Sequence, residues 1–125
     1  MAEWSELLTS DQIRIRDPFL VTDRDNARYV MFGTTDYDPW NSPGQGFLAY
    51  QSEDLIHWEK PTQVFSPPPG FWGEKNFWAP EVYCYLGKWY MIASFKADGR
   101  SRGVQILVSD NLLGPYRPLT SEPVT

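Results

Sequence analysis

The sequence lacks the features that disulfide-bonded, nucleic-acid-binding and membrane-spanning proteins depend on. It contains one cysteine, one histidine and no cluster of Lys and Arg residues, and no apolar run is long enough to span a membrane. A single cysteine excludes an internal disulfide, and Cys84 lies in an apolar run where a buried, inert thiol is expected. The histidine, His57, lies beside Trp58 and is expected on the surface or in packing rather than in catalysis.

The charge and the N-terminus exclude further classes. A net charge of −5 without a basic cluster argues against a nucleic-acid partner. Residues 1–4 do not form a basic segment followed by an apolar core, so no signal peptide is recognised. We therefore expect a cytoplasmic protein without a membrane partner.

Aromatic residues, in contrast, are abundant. They make up 16% of the chain, with six Trp, seven Tyr and seven Phe, in a sequence that is 42% hydrophobic. This composition is typical of a folded β-rich domain, in which most of the rings fill the core. It also suits a surface on which flat ligands such as sugar rings stack.

Short apolar runs alternate with turn residues along the chain. The pattern predicts strands at Phe19–Thr22, Arg28–Gly33, Gly46–Gln51 and Ile56–Glu59. A turn is predicted at 23–26, and loops rich in Pro and Gly are predicted at 38–44 and 66–70. The segment from Trp4 to Thr9 is the one place where a short helical turn is expected.

The same order of runs then repeats about 60 residues later, a period that is typical of large propeller blades. Glu81–Gly87, Lys88–Ala93 and Gly103–Val108 match the first three strands, and Ser109–Leu112 matches Ser52–Leu55. Propellers close with about four to eight blades, so two units cannot form a ring. Each unit is therefore expected to leave an apolar face that needs a neighbour.

Two proline-anchored strand starts carry the candidate chemistry. Asp17 precedes Pro18, which is expected to hold the chain extended and to point the carboxylate into a central channel. Taken alone, Asp-Pro more commonly starts a simple turn than marks a catalytic residue. The second unit has Ala79-Pro80 at the equivalent place, between Trp78 and Glu81. One unit thus brings a carboxylate and the other an aromatic ring.

Four motifs together resemble glycoside hydrolase family 43. They are Arg16-Asp17-Pro18-Phe19, the run 29–35, Asn76-Phe77-Trp78-Ala79-Pro80-Glu81-Val82 and the run 106–116. The family contains five-bladed β-propeller enzymes that act on arabinose- and xylose-containing glycans. The resemblance implies an all-β partial propeller over residues 1–125, with four-stranded blades at about 13–66 and 76–122.

The resemblance also implies inverting hydrolysis by two carboxyl groups standing roughly 6.5–9.5 Å apart. Asp17 falls on the general base, and Arg16 is expected to keep it ionised. Trp78 falls on a wall of the sugar pocket, while Glu81 either lies on the pocket floor or braces the backbone. Phe32, Asp36 and Phe95 are further pocket candidates. Some family members hold a structural ion in the channel, but no ligand cluster here indicates a metal or cofactor.

The family's general acid comes from blades after the second, and no residue of this sequence matches it. Three interpretations stay open. The chain is the first part of a glycosidase completed by further C-terminal blades; it is a homo-oligomer whose copies cover each other; or it is a non-catalytic carbohydrate-binding unit. A carbohydrate ligand is expected in each case, and the sequence does not select the sugar.

Overall fold

A computed structural model describes residues 6–125, which form antiparallel strands and a short 3-10 helix at Ser10–Gln12. The all-β class is therefore confirmed. Residues 1–5, on which the expectation of no signal peptide rests, lie outside the described residues, as does the start of the expected helical turn at Trp4–Thr9. Leu8–Thr9 instead form a short strand, β1. Within residues 6–125, no helix has the length and apolar character needed to cross a membrane.

The first half of the chain builds a four-stranded sheet, called blade 1 below. Its strands are β2 (Arg16–Asp23), β3 (Arg28–Thr34), β4 (Phe47–Ser52) and β6 (Thr62–Phe65), hydrogen-bonded in that order. Residues 24–27 form the predicted turn between β2 and β3. The three longer strands agree with the sequence prediction.

The structure has a short strand within the predicted range Ile56–Glu59, but its predicted place as the fourth strand of the unit is wrong. His57–Trp58 form a two-residue strand, β5, which pairs with β1 outside the blade. In the turn before it, an Asp54 carboxylate oxygen accepts hydrogen bonds from the backbone N–H groups of Ile56 and His57, each at 2.8 Å. The Glu59 N–H donates to the Gln51 carbonyl of β4 at 2.9 Å, but it is β6 that takes the fourth place in the sheet. His57 Nδ1 lies 2.8 Å from Asp54 Oδ2.

The second half repeats the arrangement as blade 2. Its strands are β7 (Lys75–Tyr85), β8 (Lys88–Lys96), β9 (Gly103–Ser109) and β10 (Arg117–Pro118), with the order β10-β9-β8-β7. The turns after the third strands also correspond. The Ser52 hydroxyl accepts the backbone N–H of Asp54 at 3.2 Å, and the Ser109 hydroxyl accepts that of Asn111 at 3.0 Å.

The core lies between the two blades and is largely aromatic. The rings of Phe77 and Phe95 are 4.8 Å apart, and those of Phe47 and Phe95 are 5.9 Å apart. The tilted and edge-on arrangements of this cluster are those that aromatic pairs prefer. Its other buried members include Phe32, Phe65, Trp72, Met91 and Leu107. Filling this core accounts for a large share of the aromatic residues.

The expectation that Cys84 is buried is wrong, since the thiol is exposed. Burial along β7 ends at Val82, and the residues from Tyr83 to Leu86 run past the core into solvent. An apolar sequence neighbourhood therefore does not imply burial at this end of the strand.

Candidate functional site

Asp17 lies at the start of β2 and is exposed. Its φ is 49°, in the left-handed region, and the pairing of β2 with β3 shifts register between Arg16 and Phe19. The extended conformation expected before Pro18 is thus wrong, because a bulge turns the chain at this point. Such strain costs of the order of 1–3 kcal/mol and is concentrated at functional sites.

Blade 2 has the same bulge at Ala79. Its φ is 52°, and the register of β7 and β8 shifts between Trp78 and Glu81. The two bulges are linked through Thr34, which pairs with Arg16 in blade 1. The Thr34 hydroxyl accepts the backbone N–H of Ala79 at 2.8 Å. The structure therefore brings the Asp17 and Trp78 segments to neighbouring positions at one end of the two blades.

Trp78 is half-buried, and much of its indole is already in contact with other groups. Its Nε1–H donates to the Pro39 carbonyl at 2.8 Å. The Arg102 guanidinium lies 3.8 Å from the ring centroid, and Trp40 meets the ring edge-on at 5.1 Å between centroids. The Arg102 side chain also donates to Ser94 Oγ at 3.0 Å, and burial lowers its pKa. Trp78 is thus a fixed wall with a limited open surface.

Trp40 and Arg102 contact Trp78, and the sequence analysis did not identify either as a candidate. Trp40 belongs to the segment 38–44, which was assigned only as a loop, and Arg102 lies between β8 and β9. Trp40 could have been found from the sequence, because a large aromatic residue in a loop of Pro, Asn, Ser and Gly is not expected to fill a core. Arg102 had no comparable signal, because its contact with Trp78 joins residues 24 positions apart.

Arg16 does not form the expected partnership with Asp17. Its guanidinium lies over Trp40, 5.8 Å from the ring centroid, and no ion pair joins it to Asp17 in the described part of the chain. Successive strand residues project to opposite sides, and the bulge adds a further rotation, so adjacency in sequence does not bring these side chains together.

Phe32 and Phe95 are not pocket residues. Both are fully buried in the core between the blades. They were selected for their places near strand ends, but alternation along β3 and β8 directs both side chains to the face that packs on the neighbouring blade. Their contribution is to stability.

Asp36 is buried in the wall of a separate cavity of about 180 Å³, whose lining also includes Arg14, Tyr37 and Gln63 but neither Asp17 nor Trp78. The backbone N–H of Gln45 lies 3.2 Å from each carboxylate oxygen. Burial raises the pKa of Asp36, although the N–H groups of Gln45 and Gly46 act against that shift. Asp36 thus lines a cavity to which Asp17 and Trp78 do not contribute.

Glu81 is exposed on β7, where its backbone pairs with Ile92. Its carboxylate accepts a hydrogen bond from the Tyr83 hydroxyl at 2.5 Å, which raises the pKa of Tyr83. A place on a pocket floor and a bracing role both stay predictions. Across residues 6–125, no group of three or more His, Cys, Asp or Glu side chains is arranged to hold a metal ion.

Known proteins match almost the whole chain. Residues 12–124 match the sequence model described as "Glycosyl hydrolases family 43". An extracellular exo-α-(1→5)-L-arabinofuranosidase of Cellvibrio japonicus is 24% identical over 114 residues, which cover 86% of this chain and 29% of that protein.

The fold is shared with solved structures. An endo-arabinase of Bacteroides thetaiotaomicron superposes with a TM-score of 0.78 at 34% identity, covering 94% of this chain and 39% of that one. A β-xylosidase/α-arabinofuranosidase from a compost microbial metagenome, solved with xylotriose, gives 0.76 at 19% identity, covering 98% and 39%, and shows the fold alone. The chain thus spans less than half the length of each of these relatives.

Proposed function

Because the chain belongs to glycosyl hydrolases family 43, we propose that it supplies the base side of a glycosidase site, with Asp17 as general base and Trp78 as a wall of the sugar pocket. The observation that carries this proposal is the bulge at Asp17. An exposed carboxylate is held there in a left-handed conformation, beside a fixed indole from the next blade. Ala79 has the same backbone conformation, so the exposed carboxylate at this bulge, and not the strain by itself, supports the assignment.

The proposed reaction is displacement at the anomeric carbon by water. The Asp17 carboxylate takes a proton from the water while the water oxygen bonds to the anomeric carbon. The bond from that carbon to the leaving oxygen breaks in the same step. The leaving oxygen then needs a proton from an acid. Glu122, the last carboxylate of the chain, is held in an ion pair with Arg100 at 2.9 Å and is not assigned to that role.

The proposed substrates are arabinose-containing glycans. Two of the relatives are an arabinofuranosidase and an endo-arabinase, and the structural neighbour solved with xylotriose shows a related fold around a pentose chain. The acid and the other pocket walls are proposed to come from further blades of a longer protein or from a second copy. Exposed apolar side chains on both blades support the need for a neighbour, among them Leu20, Tyr83 and Ile92.

A substrate that needs no acid tests the base directly. A dinitrophenyl α-L-arabinofuranoside has a leaving group that departs without protonation, so a base alone is sufficient. We expect the 125-residue chain to hydrolyse it above the buffer rate, and Asp17→Asn to lower that rate by about 100-fold or more. Asp25→Asn is the matched control, because Asp25 lies in the turn at the opposite end of β2. Light scattering on the same sample establishes whether a monomer or an assembly is assayed.

Two results would contradict the assignment: no hydrolysis by the unaltered chain, or hydrolysis that survives Asp17→Asn. A carbohydrate-binding role without catalysis is the second candidate, favoured by the exposed ring of Trp40 beside Trp78. In that case arabino-oligosaccharides bind without turnover, and Asp17→Asn leaves binding unchanged.

A further inference from the structure

We propose that Trp40 and Arg16 form a second sugar-binding position, called the Trp40 subsite below, so that the chain recognises an oligosaccharide rather than a single sugar. This inference rests on the proposed function, since the Trp40 subsite extends the Asp17 site. In this proposal a sugar stacks on Trp40, whose ring is more exposed than that of Trp78.

Trp40 is an exposed ring on a rigid support. Its side chain is 55% exposed, although tryptophan is usually largely buried. The Asp38 carboxylate accepts the backbone N–H groups of Trp40 and Asn41, each at 3.2 Å. From blade 2, the Asn76 side-chain amide donates to the carbonyls of Pro39 and Trp40 at 2.8 and 3.0 Å. Holding an apolar ring in solvent in this way lowers the entropy lost when a ligand binds.

The indole rings of Trp40 and Trp78 offer separate stacking surfaces. The ring centroids of Trp40 and Trp78 are 5.1 Å apart and the ring planes meet at 67°, so they face different directions. Trp78 has its N–H bonded to Pro39 and one side covered by Arg102. Trp40 is more exposed than Trp78 although the Arg16 guanidinium lies over its ring, and a sugar that stacks on it is a different unit from one that touches Trp78. A ligand that uses both is therefore a chain of linked sugars.

Arg16 supplies hydrogen-bond donors to the Trp40 subsite. It directly precedes Asp17, and its guanidinium lies 5.8 Å from the Trp40 centroid. The side chain is exposed, and a guanidinium offers five N–H donors in one plane, which suits the hydroxyl oxygens at the edge of a sugar stacked on the ring. The Trp40 subsite is joined to the proposed sugar pocket through Trp78, whose ring centroid lies 5.1 Å from that of Trp40.

The test compares ligands of different length by isothermal titration calorimetry. L-Arabinose and α-(1→5)-arabinotriose are titrated into the full chain and into Trp40→Ala, Trp40→Phe and Tyr85→Ala. We expect the trisaccharide to bind at least about tenfold more tightly than the monosaccharide to the unaltered chain. Trp40→Ala removes this gain, and Trp40→Phe keeps part of it because a ring remains. Tyr85→Ala, which removes an exposed ring at the opposite end of β7, keeps the gain in full.

Three outcomes would overturn the Trp40 subsite. The unaltered chain shows no gain for the trisaccharide, Trp40→Ala keeps the gain, or Trp40→Ala weakens both ligands by the same factor, as a role in holding Trp78 predicts. None of these affects the Asp17→Asn result on the aryl arabinofuranoside, which carries one sugar. Conversely, if the aryl arabinofuranoside experiment shows that Asp17 is not the base, the expected dependence of affinity on ligand length is unchanged.

Discussion

The bulges of the two blades have the same backbone conformation but carry different side chains. Asp17 and Ala79 have φ values of 49° and 52°, each precedes a proline, and each coincides with a register shift in the first strand pair. Aspartate adopts the left-handed region more readily than alanine, because its short polar side chain bonds locally. The conformation therefore belongs to the fold, and a carboxylate occupies one of the two equivalent positions.

The same pairing registers show a second difference, in burial. Phe32 pairs with Phe19 in blade 1, and Ile92 pairs with Glu81 at the equivalent place in blade 2. Phe32 is 0% exposed and Ile92 is 38% exposed. Blade 2 covers the face that includes Phe32, whereas within residues 6–125 no further blade covers the face that includes Ile92. Burial is thus decided by the neighbouring blade and not by the position within the blade.

The largest expected effect tests this difference in burial. Phe32→Ala should lower the free energy of unfolding by about 3–5 kcal/mol, because it leaves a cavity in the core between the blades. Ile92→Ala, at the equivalent position, should cost about 1 kcal/mol or less. Urea denaturation followed by tryptophan fluorescence measures both. Equal losses would mean that the face of blade 2 is covered in solution.

A smaller effect is expected at Thr34, which joins the two bulges. Thr34→Val keeps the shape of the side chain but removes the oxygen that accepts the Ala79 N–H, and should cost about 1–2 kcal/mol of stability. Thr34→Ser keeps the oxygen and should lose less. The same denaturation experiment ranks the two variants, and a Ser variant as unstable as the Val variant would argue against the hydrogen bond.

The smallest effect is a gain. Ala79→Gly should stabilise the chain by about 0.5–1 kcal/mol, since glycine adopts positive φ without the steric cost that alanine has there. Ala93→Gly, in a buried position of β8 without positive φ, should destabilise it. Thermal unfolding of the two variants in parallel shows whether the change in stability has opposite signs at the two positions. A loss of stability in Ala79→Gly would contradict the assignment of strain to this bulge.

Most of the fold was predictable because local patterns encode it. The two sets of strands, their repeat and the equivalence of Asp17-Pro18 with Ala79-Pro80 follow from alternating apolar residues and turn chemistry. The fourth strand of blade 1 was misplaced because β5 pairs with β1 while β6 pairs with β4, and periodicity does not reveal which strand a segment pairs with.

The candidate site was less predictable, since its contacts join distant residues. Alternation shows that Phe32 and Phe95 share one face of their strands, but not whether that face meets another blade or a pocket. The stacking of Arg16 on Trp40, and of Arg102 on Trp78, depends on how the loop of blade 1 lies against blade 2. Such placement follows from tertiary packing and leaves no pattern in the neighbouring sequence.

The loop that carries Trp40 has a consequence for how the two blades come apart. Gly44 N–H donates to the Glu74 carbonyl at 2.8 Å, and the Pro39 carbonyl accepts bonds from Asn76 and Trp78. The loop of one blade thus completes the backbone pairing of the other, so neither opens without breaking these bonds. We expect one cooperative unfolding transition, with the amide protons of Gly44 and Ala79 exchanging with solvent as slowly as those of the central strands.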